Sequence, residues 1–501
     1  ADSTAYTVTD ALLERLVESE CSALWPGWGF ASEDPALPRM LRAAQIRFLG
    51  PPATAIELLG DKVQAKQIAE QQGLPVIPWR RLSSPDALYA AAEEVGFPLI
   101  LKAAGGGGGR GIRIVTEIEQ LDAALRGVQV EAPGEVFVER YFPRGRHLEV
   151  QLLADGQGDV LTYGVRDCSC QRRRQKVLEE TPAPNLAPAV QERLETWAAD
   201  LARAVEYESA GTVEFLLTPD EEAWFLEMNP RLQVEHGVTE QAYGVDLVGL
   251  QIRVAMERPL PPVRSTPQCH AIEARVYAED PVKGFMPAPG RVHHLAFGHG
   301  PGIRVDAGVT PGEEISPSFD AMIAKVVACG SSRDESLSRV SGSLQESKVT
   351  VEGGATNIPF LRHLLDQPEV WNAQVETTSV DEHLLDRFTL QEPAQVAVAG
   401  ETAAVVERMR REQEMIDNFS VRPLLTGPPE KPAVINLSHL HGDFSVVVHR
   451  LSRTEFLLQT EDGYQVVEWT PTSEGRGILS VEETTFPVDV EFGSGEWRIY
   501  H

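Results

Sequence analysis

Phe225-Leu-Glu-Met-Asn-Pro-Arg-Leu-Gln-Val-Glu-His236 begins as a short run typical of a β-strand and ends in a polar segment. An earlier run of the same kind, Gly211-Thr-Val-Glu-Phe-Leu216, is separated from it by an acidic turn, Pro219-Asp-Glu-Glu222. Two such runs around a turn predict a β-hairpin. Oxygen donors brought together on a hairpin suit a hard cation such as Mg²⁺, which is usually held by few carboxylates and by substrate phosphates. The candidate metal ligands are Glu214, Glu227 and Asn229.

The polar segment after the predicted hairpin contains Arg231, Gln233 and Glu235. Because these residues are spaced by two, they would face the same way on an extended segment. The predicted metal ligands are thus followed directly by an anion-binding arginine and a carboxylate base. This order is typical of a phosphoryl-transfer site. A solvated surface network is the alternative interpretation of an acidic hairpin with an arginine nearby. A second motif upstream favours the phosphoryl-transfer interpretation.

That second motif is a run of five glycines at 105–109. Glycines have no Cβ, so backbone N–H groups can close over phosphate oxygens. The spacing matches the dinucleotide fingerprint, but that fingerprint needs a helix after the glycines, and here the strand-like run Gly111-Ile-Arg-Ile-Val115 follows. No Gly-Lys-Ser or Gly-Lys-Thr of a Walker A loop is present in the run either. We therefore expect a flap between two strands that covers a nucleotide triphosphate, with Lys102 at its base.

Together these features resemble the ATP-grasp fold, and specifically the biotin carboxylase family. The resemblance runs in order from about residue 10 to about residue 385. Its further motifs are Trp25-Pro-Gly-Trp-Gly-Phe-Ala-Ser-Glu33, Leu49-Gly-Pro-Pro52, Leu59-Gly-Asp-Lys62, Arg146-His-Leu-Glu-Val-Gln151, Arg166-Asp-Cys-Ser-Cys-Gln-Arg-Arg-Arg-Gln-Lys176, Glu179-Glu-Thr-Pro-Ala-Pro184, His270-Ala-Ile-Glu-Ala-Arg-Val-Tyr-Ala-Glu-Asp-Pro281 and Phe319-Asp-Ala-Met-Ile-Ala-Lys325. The motif that starts at Trp25 is most similar to single-chain acetyl-CoA carboxylases.

The resemblance implies an activity and a role for particular residues. Biotin carboxylases use MgATP to phosphorylate bicarbonate, and the resulting carboxyphosphate carboxylates N1′ of biotin. By this resemblance, Glu139 to Phe142 would meet adenine, and Mg²⁺ (or Mn²⁺) would be held by the three hairpin ligands. The other residues that would bind ATP are Lys62, Lys102, Gly108, Gly109, His147, Gln171 and Arg174.

The same resemblance implies the residues that act on bicarbonate and biotin. Lys176, Arg231 and the backbone of Val234 would bind bicarbonate, and Glu235 would be the base that deprotonates it. Arg304, in Gly302-Ile-Arg-Val-Asp306, would stabilise the biotin enolate. A base beside fixed cations can deprotonate bicarbonate as it attacks the γ-phosphate of ATP.

Composition is consistent with an enzyme and argues against several classes of partner. The chain has 501 residues and a net charge of −29, which argues against nucleic acid or an anionic membrane as a standing partner. Cysteines are five in number and scattered, so we expect them to be reduced, which suggests a cytoplasmic protein. We find no apolar run of 18 residues and expect no signal peptide. Against the acidic background, cationic residues that we expect to gather at one site are Lys102, Arg110, Arg113, Arg144, Arg146, Arg172, Arg173, Arg174 and Lys176.

The chain is predicted to be a multidomain α/β and α+β protein. We expect a partial biotin carboxylase N-terminal α/β domain at 1–59, an ATP-grasp domain at 60–258 and a biotin carboxylase C-terminal domain at 267–388. A helical segment and linker would follow at 389–430. Strong alternation of apolar and polar residues then predicts a small antiparallel β domain at 431–501, a candidate for subunit interaction.

Three departures from the family pattern leave an alternative open. Arg174 stands where the family has His, about two N-terminal βα units of the family are not found, and no Ala-Met-Lys-Met site for biotin attachment is present. Biotin would therefore arrive on another chain, a carboxyl carrier protein or domain, and a carboxyltransferase subunit would use it. We expect the chain to form an oligomer and to belong to an acetyl-CoA or propionyl-CoA carboxylase. The sequence does not distinguish these acceptors from pyruvate or urea. The alternative is a non-catalytic homologue that acts as an assembly or regulatory subunit.

Overall fold

The computed structural model describes residues 9–388, apart from 83, 85, 86, 105–110, 133, 261, 263–265 and 353, and the strands between 433 and 500. It divides into two compact units, Ala1–Phe388 and Thr389–His501. The predicted phosphate-binding glycines Gly108 and Gly109, and the predicted helix and linker at 389–430, lie outside the described residues.

The helices of the first unit agree closely with the periodicity of the sequence. The sequence pattern predicts helices over 333–346 and 358–365, and the structure has helices with those same bounds. The helices are α1 (Thr9–Glu18), α2 (Ala36–Ala43), α3 (Ala53–Gly60), α4 (Lys62–Gln71), α5 (Leu88–Val95), α6 (Leu121–Glu131), α7 (Pro188–Ala204), α8 (His236–Tyr243), α9 (Leu247–Ala255), α10 (Arg333–Glu346), α11 (Ile358–Leu365) and α12 (Pro368–Trp371).

The strands of the first unit include the predicted hairpin, now at residues 208–217 and 223–229. They are β1 (Ala23–Leu24), β2 (Arg47–Phe48), β3 (Trp79–Arg81), β4 (Leu99–Ala103), β5 (Ile112–Val115), β6 (Val136–Arg140), β7 (Arg146–Asp155), β8 (Val160–Arg172), β9 (Gln175–Thr181), β10 (Glu208–Leu217), β11 (Ala223–Asn229), β12 (His270–Tyr277), β13 (Glu279–Asp280), β14 (Met286–Pro287), β15 (Arg291–Ala296), β16 (Ile303–Ala307), β17 (Met322–Gly330) and β18 (Lys348–Glu352).

An eight-stranded sheet is the frame of the first unit. Its strand order is β11-β10-β7-β8-β9-β12-β17-β16, and its neighbouring strands are antiparallel. Strands β7 to β11 come from the predicted ATP-grasp region and β12, β16 and β17 from the predicted C-terminal region. The sheet is thus continuous across the proline-rich segment near residue 260 that the sequence suggests as a boundary.

One face of this sheet is packed and the other carries charge. On β7, Leu148 and Val150 lie in a core that also contains Leu194, Ala198 and Leu201 of α7, spaced as one apolar helix face. Because side chains alternate along a strand, the intervening residues, including Glu149, point to the opposite face. The same alternation places Ile272 and Ala274 of β12 in a second core. The chemistry of the site therefore lies on the face away from these cores.

The predicted flap belongs to a separate four-stranded sheet. Its order is β3-β6-β4-β5, and α5 and α6 pack against it through a core of their own. Strands β4 and β5 pair antiparallel, with Lys102 opposite Ile112, so the glycine run does connect two strands. This confirms the strand–loop–strand prediction and excludes the dinucleotide fingerprint, in which a helix follows the glycines.

The second unit is an antiparallel meander, as the alternation predicts. Its order follows the chain, and the strands are β19 (Ala433–His439), β20 (Gly442–Arg450), β21 (Glu455–Thr460), β22 (Gly463–Ser473), β23 (Arg476–Val481), β24 (Thr484–Gly493) and β25 (Glu496–Tyr500).

The polar segment after the hairpin differs from the prediction. Residues 230–235 form neither a helix nor a strand, and a turn at Val234 and Glu235 leads directly into α8. The spacing of two therefore does not describe an extended strand here. Gln233 nonetheless donates to Glu214 and Glu235 accepts from Lys176, whereas Arg231 binds Glu33.

Candidate active site

Charged residues lie in register across neighbouring strands of the large sheet. Glu227 of β11 is opposite Glu214 of β10, Glu214 is opposite Glu149 of β7, and Glu149 is opposite Arg166 of β8. Directly paired residues have adjacent Cβ atoms. Antiparallel register thus concentrates three carboxylates and a guanidinium in one row, an arrangement that a fold keeps only when the charges are compensated.

Lys176 is the cation at the centre of this group. Its Nζ donates to Glu235 Oε1 at 2.7 Å, to Glu214 Oε1 at 3.2 Å and to an oxygen of Glu149. Burial opposes the charge on this lysine, but Glu149, Glu214 and Glu235 outweigh burial and raise the pKa of Lys176 well above its ordinary value. The side chain is therefore a permanent ammonium, as an anion-binding role requires.

His147 adds a second positive charge on the same face. Its Nε2 lies 3.1 Å from a carboxylate oxygen of Glu149 and 3.1 Å from one of Glu214. Burial alone would lower the pKa of His147, but the two carboxylates raise it to about 9. The imidazole is thus protonated at neutral pH and can face phosphate oxygens as a cation.

Glu235, the predicted base, is held from both sides. Its Oε1 accepts from Lys176, and its Oε2 accepts from Arg275 at 3.1 Å. Burial would raise its pKa, but Lys176 and then Arg275 hold the pKa of Glu235 at about 2. The carboxylate is consequently ionised, and so able to accept a proton, at any pH near neutrality.

The predicted metal ligands meet at the open end of the hairpin. Asn229 Nδ2 and Gln233 Nε2 each donate to Glu214 Oε1 at 2.8 Å, and Glu227 lies in register opposite. Glu214 is buried, and neighbouring cations hold its pKa well below the ordinary value against the effect of burial. An ionised carboxylate, a second carboxylate and an amide oxygen form a donor set that fits a hard divalent cation.

Arg231 projects beside this donor set. Its Nε donates to Glu33 and its NH2 lies 3.4 Å from Asn229 Oδ1. Glu33 belongs to the Ala-Ser-Glu motif near the start of the chain, 198 residues away. The N-terminal region therefore supports the predicted bicarbonate-binding arginine directly.

The predicted nucleotide residues that the structure describes include members of both sheets and of α4. Lys62 begins α4, and Lys102 of β4 binds Glu139 of β6 together with the fully buried Lys66. The Phe142 ring stacks on Trp224 with centroids 5.7 Å apart. Because the carboxylate of Glu139 is engaged by two lysines, only its backbone remains to meet adenine.

Gln171 and Arg174 lie at the end of the β8–β9 hairpin. Gln171 Nε2 donates to the carbonyl of Cys168 at 2.8 Å, and Arg174 is exposed in the tight turn with φ of 68°. The charge of Arg174 acts on Tyr141, next to the predicted adenine segment. The arginine that replaces the family's histidine is thus close to the predicted nucleotide position.

Arg304 occupies a second cluster on the same face. Its guanidinium donates to Glu240 Oε2 at 2.6 Å and to both oxygens of Asp306 at 2.9 Å. Lys325 Nζ links this cluster to the predicted bicarbonate segment, because it donates to the Val234 carbonyl at 2.6 Å and lies 3.5 Å from Asp306. The two halves of the predicted site are therefore connected.

The predicted single cluster of cations is wrong. Arg113 pairs with Glu131, Arg144 with Glu376, Arg146 with Asp167 and Arg172 with Glu279, and none of these carboxylates is a partner of Lys176. Successive residues of a strand point to opposite faces, so a run of basic residues in sequence does not become a cluster in space. Arg110 lies outside the described residues.

Several residues of the site were not predicted from the sequence. Arg166 is fully buried and binds Glu149, Gln151, Thr212, Gln233 and Thr239. Both Glu149 and Arg166 lie inside quoted motifs, and a charged residue at alternate positions of an apolar strand is a signal that could have found them. Arg275 and Glu179 carry the same signal.

These features define an ATP-grasp type of ligase, and the comparisons identify the family. The biotin carboxylase N-terminal domain matches residues 1–56, the carbamoyl-phosphate synthase L chain ATP-binding domain matches 61–263, and the biotin carboxylase C-terminal domain matches 273–382. The chain is 38% identical over 389 residues to the biotin carboxylase of Halalkalibacterium halodurans, covering 76% of this chain and 85% of that protein. The chain belongs to the biotin carboxylase family.

Other relatives are longer or are solved structures. The methylcrotonoyl-CoA carboxylase α subunit of Arabidopsis thaliana is 41% identical over 407 residues, covering 79% of this chain and 55% of that subunit. The chain spans 33% of the length of pyruvate carboxylase 1 of Caenorhabditis elegans. The biotin carboxylase domain dimer of Hydrogenobacter thermophilus 2-oxoglutarate carboxylase, solved with MgADP, ADP and bicarbonate, superimposes with a TM-score of 0.72 at 34% identity, over 76% of this chain and 86% of that chain.

The described residues bear on two further predictions, the lack of a membrane-spanning segment and the reduced state of the cysteines. Among the helices that the structure describes, none is long and apolar enough to cross a membrane. All five cysteines fall within the described ranges and are free thiols.

Proposed function

We propose that this chain is the biotin carboxylase component of an acyl-CoA carboxylase, specific for acetyl-CoA or propionyl-CoA. It phosphorylates bicarbonate with MgATP and transfers the carboxyl group to N1′ of biotin carried by another chain. The observation that carries this proposal is the arrangement around Lys176. An ionised carboxylate, Glu235, lies in contact with a permanent cation, beside an oxygen donor set for a divalent metal.

Each step of this reaction has a candidate group. Lys176, Arg231 and the backbone of Val234 bind bicarbonate, and Glu235 accepts its proton as its oxygen attacks the γ-phosphate. Glu214, Glu227 and Asn229 would hold a divalent metal, which would supply positive charge next to the phosphates. Lys102 and His147 add fixed positive charge, which stabilises the charge that develops on the transferring group. The hydrogen bonds of Arg304 leave it beside the bicarbonate segment, where it stabilises the enolate of biotin.

The partners follow from this chemistry. The relatives include carboxylase subunits and longer chains, which supports a biotin carboxyl carrier protein or domain and a carboxyltransferase acting in trans. We further propose an oligomer in the cytoplasm, supported by the reduced cysteines and by the dimer named for the Hydrogenobacter relative. The β meander at 433–500 is a candidate surface for contact with these subunits. No observation among the described residues favours a non-catalytic role.

Arg304→Met should separate the two half-reactions. The variant keeps the groups around Lys176, so bicarbonate-dependent cleavage of ATP should continue. Stimulation of ADP release by free biotin should fall about 100-fold, because one charged donor to a developing oxyanion contributes about 10²–10³ in rate. The measurement is ADP release with Mg²⁺, with and without bicarbonate and biotin, in the wild type and the variant.

The wild type itself tests the proposed function. ADP release that requires both bicarbonate and biotin would support it. A folded wild type that binds ATP but shows neither requirement would contradict it and would favour the assembly or regulatory role. Equal biotin stimulation in Arg304→Met and wild type would contradict the role of Arg304 alone.

A further inference from the structure

Lys325 on β17 is a buried lysine that no step of the proposed reaction uses. Only 3% of its side chain is exposed. Its Nζ donates to the carbonyl of Val234 at 2.6 Å, whereas carboxylate oxygens of Asp306 and Glu273 lie at 3.5 and 3.8 Å. The ammonium is therefore closer to the backbone of the predicted bicarbonate segment than to either of these carboxylates.

The Val234 carbonyl belongs to the turn that leads into α8. It shares one peptide plane with the N–H of Glu235, the N-cap residue of that helix, whose side chain makes no capping hydrogen bond. The backbone hydrogen bonds that close the turn, donated by His236 and Val238, are both long at 3.3 Å. The 2.6 Å bond from Lys325 is therefore a strong external anchor for a turn whose own backbone bonds are weak.

Trp28 and Gly237 lie beside the Lys325 ammonium. The Nζ is 5.5 Å from the centroid of the Trp28 ring, within the range of a cation–π interaction. A Cβ added at Gly237, in the first turn of α8, would lie 3.7 Å from Nζ, so the helix backbone approaches the lysine closely. A flexible side chain packed in this way is held in one conformation, which a residue that positions a turn requires.

Asp306 connects Lys325 to Arg304. Asp306 is opposite Lys325 in the register of β16 and β17, and both of its carboxylate oxygens accept hydrogen bonds from Arg304. Burial would raise the pKa of Asp306, but the hydrogen bonds from Arg304 and the charge of Lys325 hold that pKa below its ordinary value. An ionised carboxylate thus stands between the two cations and keeps them in one arrangement.

Glu273 on β12 is a weaker partner of Lys325. Its side chain is buried, and neither of its carboxylate oxygens has a hydrogen-bond partner among the described residues. Burial raises the pKa of Glu273 despite the opposing charge of Lys325. An ionised carboxylate without donors is costly to bury, so such groups hold a proton instead. The contact with Glu273 therefore does not explain where the ammonium lies, whereas the bond to the Val234 carbonyl does.

We propose that Lys325 is a positioning residue that anchors the turn at Val234 and Glu235. Its hydrogen bond to the Val234 carbonyl keeps the backbone of Val234 toward the bicarbonate position and aims the Glu235 side chain at the same place. Lys325 does not touch bicarbonate itself. This inference rests on the proposed function, which gives Val234 and Glu235 their roles, and adds the group that holds both in place. The expected effect is large, because an error of about 1 Å in the position of a reacting group costs about 100-fold in rate.

Lys325→Met tests the anchor, with Glu273→Gln as the matched control. Methionine keeps an unbranched side chain at this buried position but donates no hydrogen bond. Glu273→Gln changes a carboxyl group of the same buried cluster and leaves the bond between Lys325 and Val234 intact. We would measure kcat and the KM values for bicarbonate and for ATP at a fixed concentration of Mg²⁺. Lys325→Arg, which keeps a charge beside Asp306 but not the compact ammonium, replaces Lys325→Met if that variant does not fold.

The expected results differ between the variant and its control. In Lys325→Met, or in Lys325→Arg, kcat/KM for bicarbonate should fall about 10- to 100-fold while the KM for ATP stays within about 2-fold of wild type. Glu273→Gln should stay within about 2-fold of wild type in each constant. An unchanged kcat/KM for bicarbonate in Lys325→Met would overturn the proposal. An equal loss in Glu273→Gln would also overturn it, because Lys325 would then act only as a member of a buried charge cluster.

Hydrogen exchange in the substrate-free protein separates this inference from the proposed function. In Lys325→Met, the backbone amides at the start of α8 should exchange about 10-fold faster than in the wild type, because the turn before them has lost its anchor. The same amides in Glu273→Gln, and the amides of α7 in both variants, should be unchanged. Unchanged exchange at the start of α8 in Lys325→Met, or faster exchange throughout the first unit, would overturn the inference. Faster exchange confined to α8, in a protein whose wild type lacks bicarbonate- and biotin-dependent turnover, would mean that the proposed function has failed while the anchor is as inferred.

Discussion

Replacing Lys176 with Met is expected to abolish turnover and to lower the free energy of unfolding by about 3–5 kcal/mol. The ammonium is the shared partner of Glu149, Glu214 and Glu235, and only 14% of the lysine side chain is exposed. Removal of one partner of a buried ion pair leaves its counterion charged and unpaired, and here three carboxylates are affected. The measurement is urea unfolding followed by circular dichroism, together with ADP release.

The loss of stability in Lys176→Met should depend on pH. In the wild type, Glu235 and Glu214 have lowered pKa values, so their contribution to stability is present above the ordinary carboxylate pKa of 4.5 and is lost as pH falls below it. In the variant, burial and mutual repulsion raise these pKa values above 4.5. The folded variant should then bind more protons than its unfolded chain above pH 4.5, so that its stability falls as pH rises. The deficit relative to wild type should therefore be larger at pH 8 than at pH 5.

Lys66→Met is the control for a buried lysine. Burial lowers the pKa of Lys66 despite its contact with Glu139, so its charge is costly to keep. Lys102 remains bound to Glu139 in this variant. The free energy of unfolding should therefore fall by less than in Lys176→Met, because only one carboxylate is affected and it keeps a second lysine. Equal losses in the two variants would mean that buried lysines stabilise this fold by packing and that Lys176 has no special electrostatic role.

The parts of the fold set by local pattern were predictable from the sequence. Alternation and the acidic turn predict the β10–β11 hairpin, and the facing pair Glu214 and Glu227 follows from its register. The strand after the glycines excludes the dinucleotide fingerprint without a structure. Helical periodicity predicts α10 and α11 with their observed bounds.

Contacts between distant segments were not predictable from a single sequence. Arg231 meets Glu33 across 198 residues, and Arg275 meets Glu179 across 96. These pairs depend on the order and register of strands in the large sheet, which no local pattern encodes. The predicted cluster of arginines did not form because residues that are neighbours in sequence alternate between the two faces of a strand. Arg113 and Arg146 instead pair with Glu131 and Asp167.

Glu235→Gln is expected to lower kcat by about 10²–10⁴, the usual contribution of a positioned general base. The amide oxygen of the new side chain can still accept a hydrogen bond from Lys176 or Arg275, and Lys176 keeps Glu149 and Glu214 as partners. Folding and ATP binding should therefore survive, with a dissociation constant for ATP within about 3-fold of wild type, so the loss falls on the chemical step.

The pH profile of Glu235→Gln distinguishes a base from a structural carboxylate. Because the pKa of Glu235 is about 2, the group is already ionised throughout the working range, and its loss should lower activity by a similar factor from pH 6.5 to 9. A carboxylate with so low a pKa is a weak base in the substrate-free protein. It becomes a stronger base when a neighbouring cation moves from it toward the substrate, and Lys176 is placed to do this. Glu235→Asp, which keeps the charge but shortens its reach, should recover part of the rate. If Glu235→Gln kept turnover within about 3-fold of wild type, another group would be the base and Glu235 would only hold Lys176 in place.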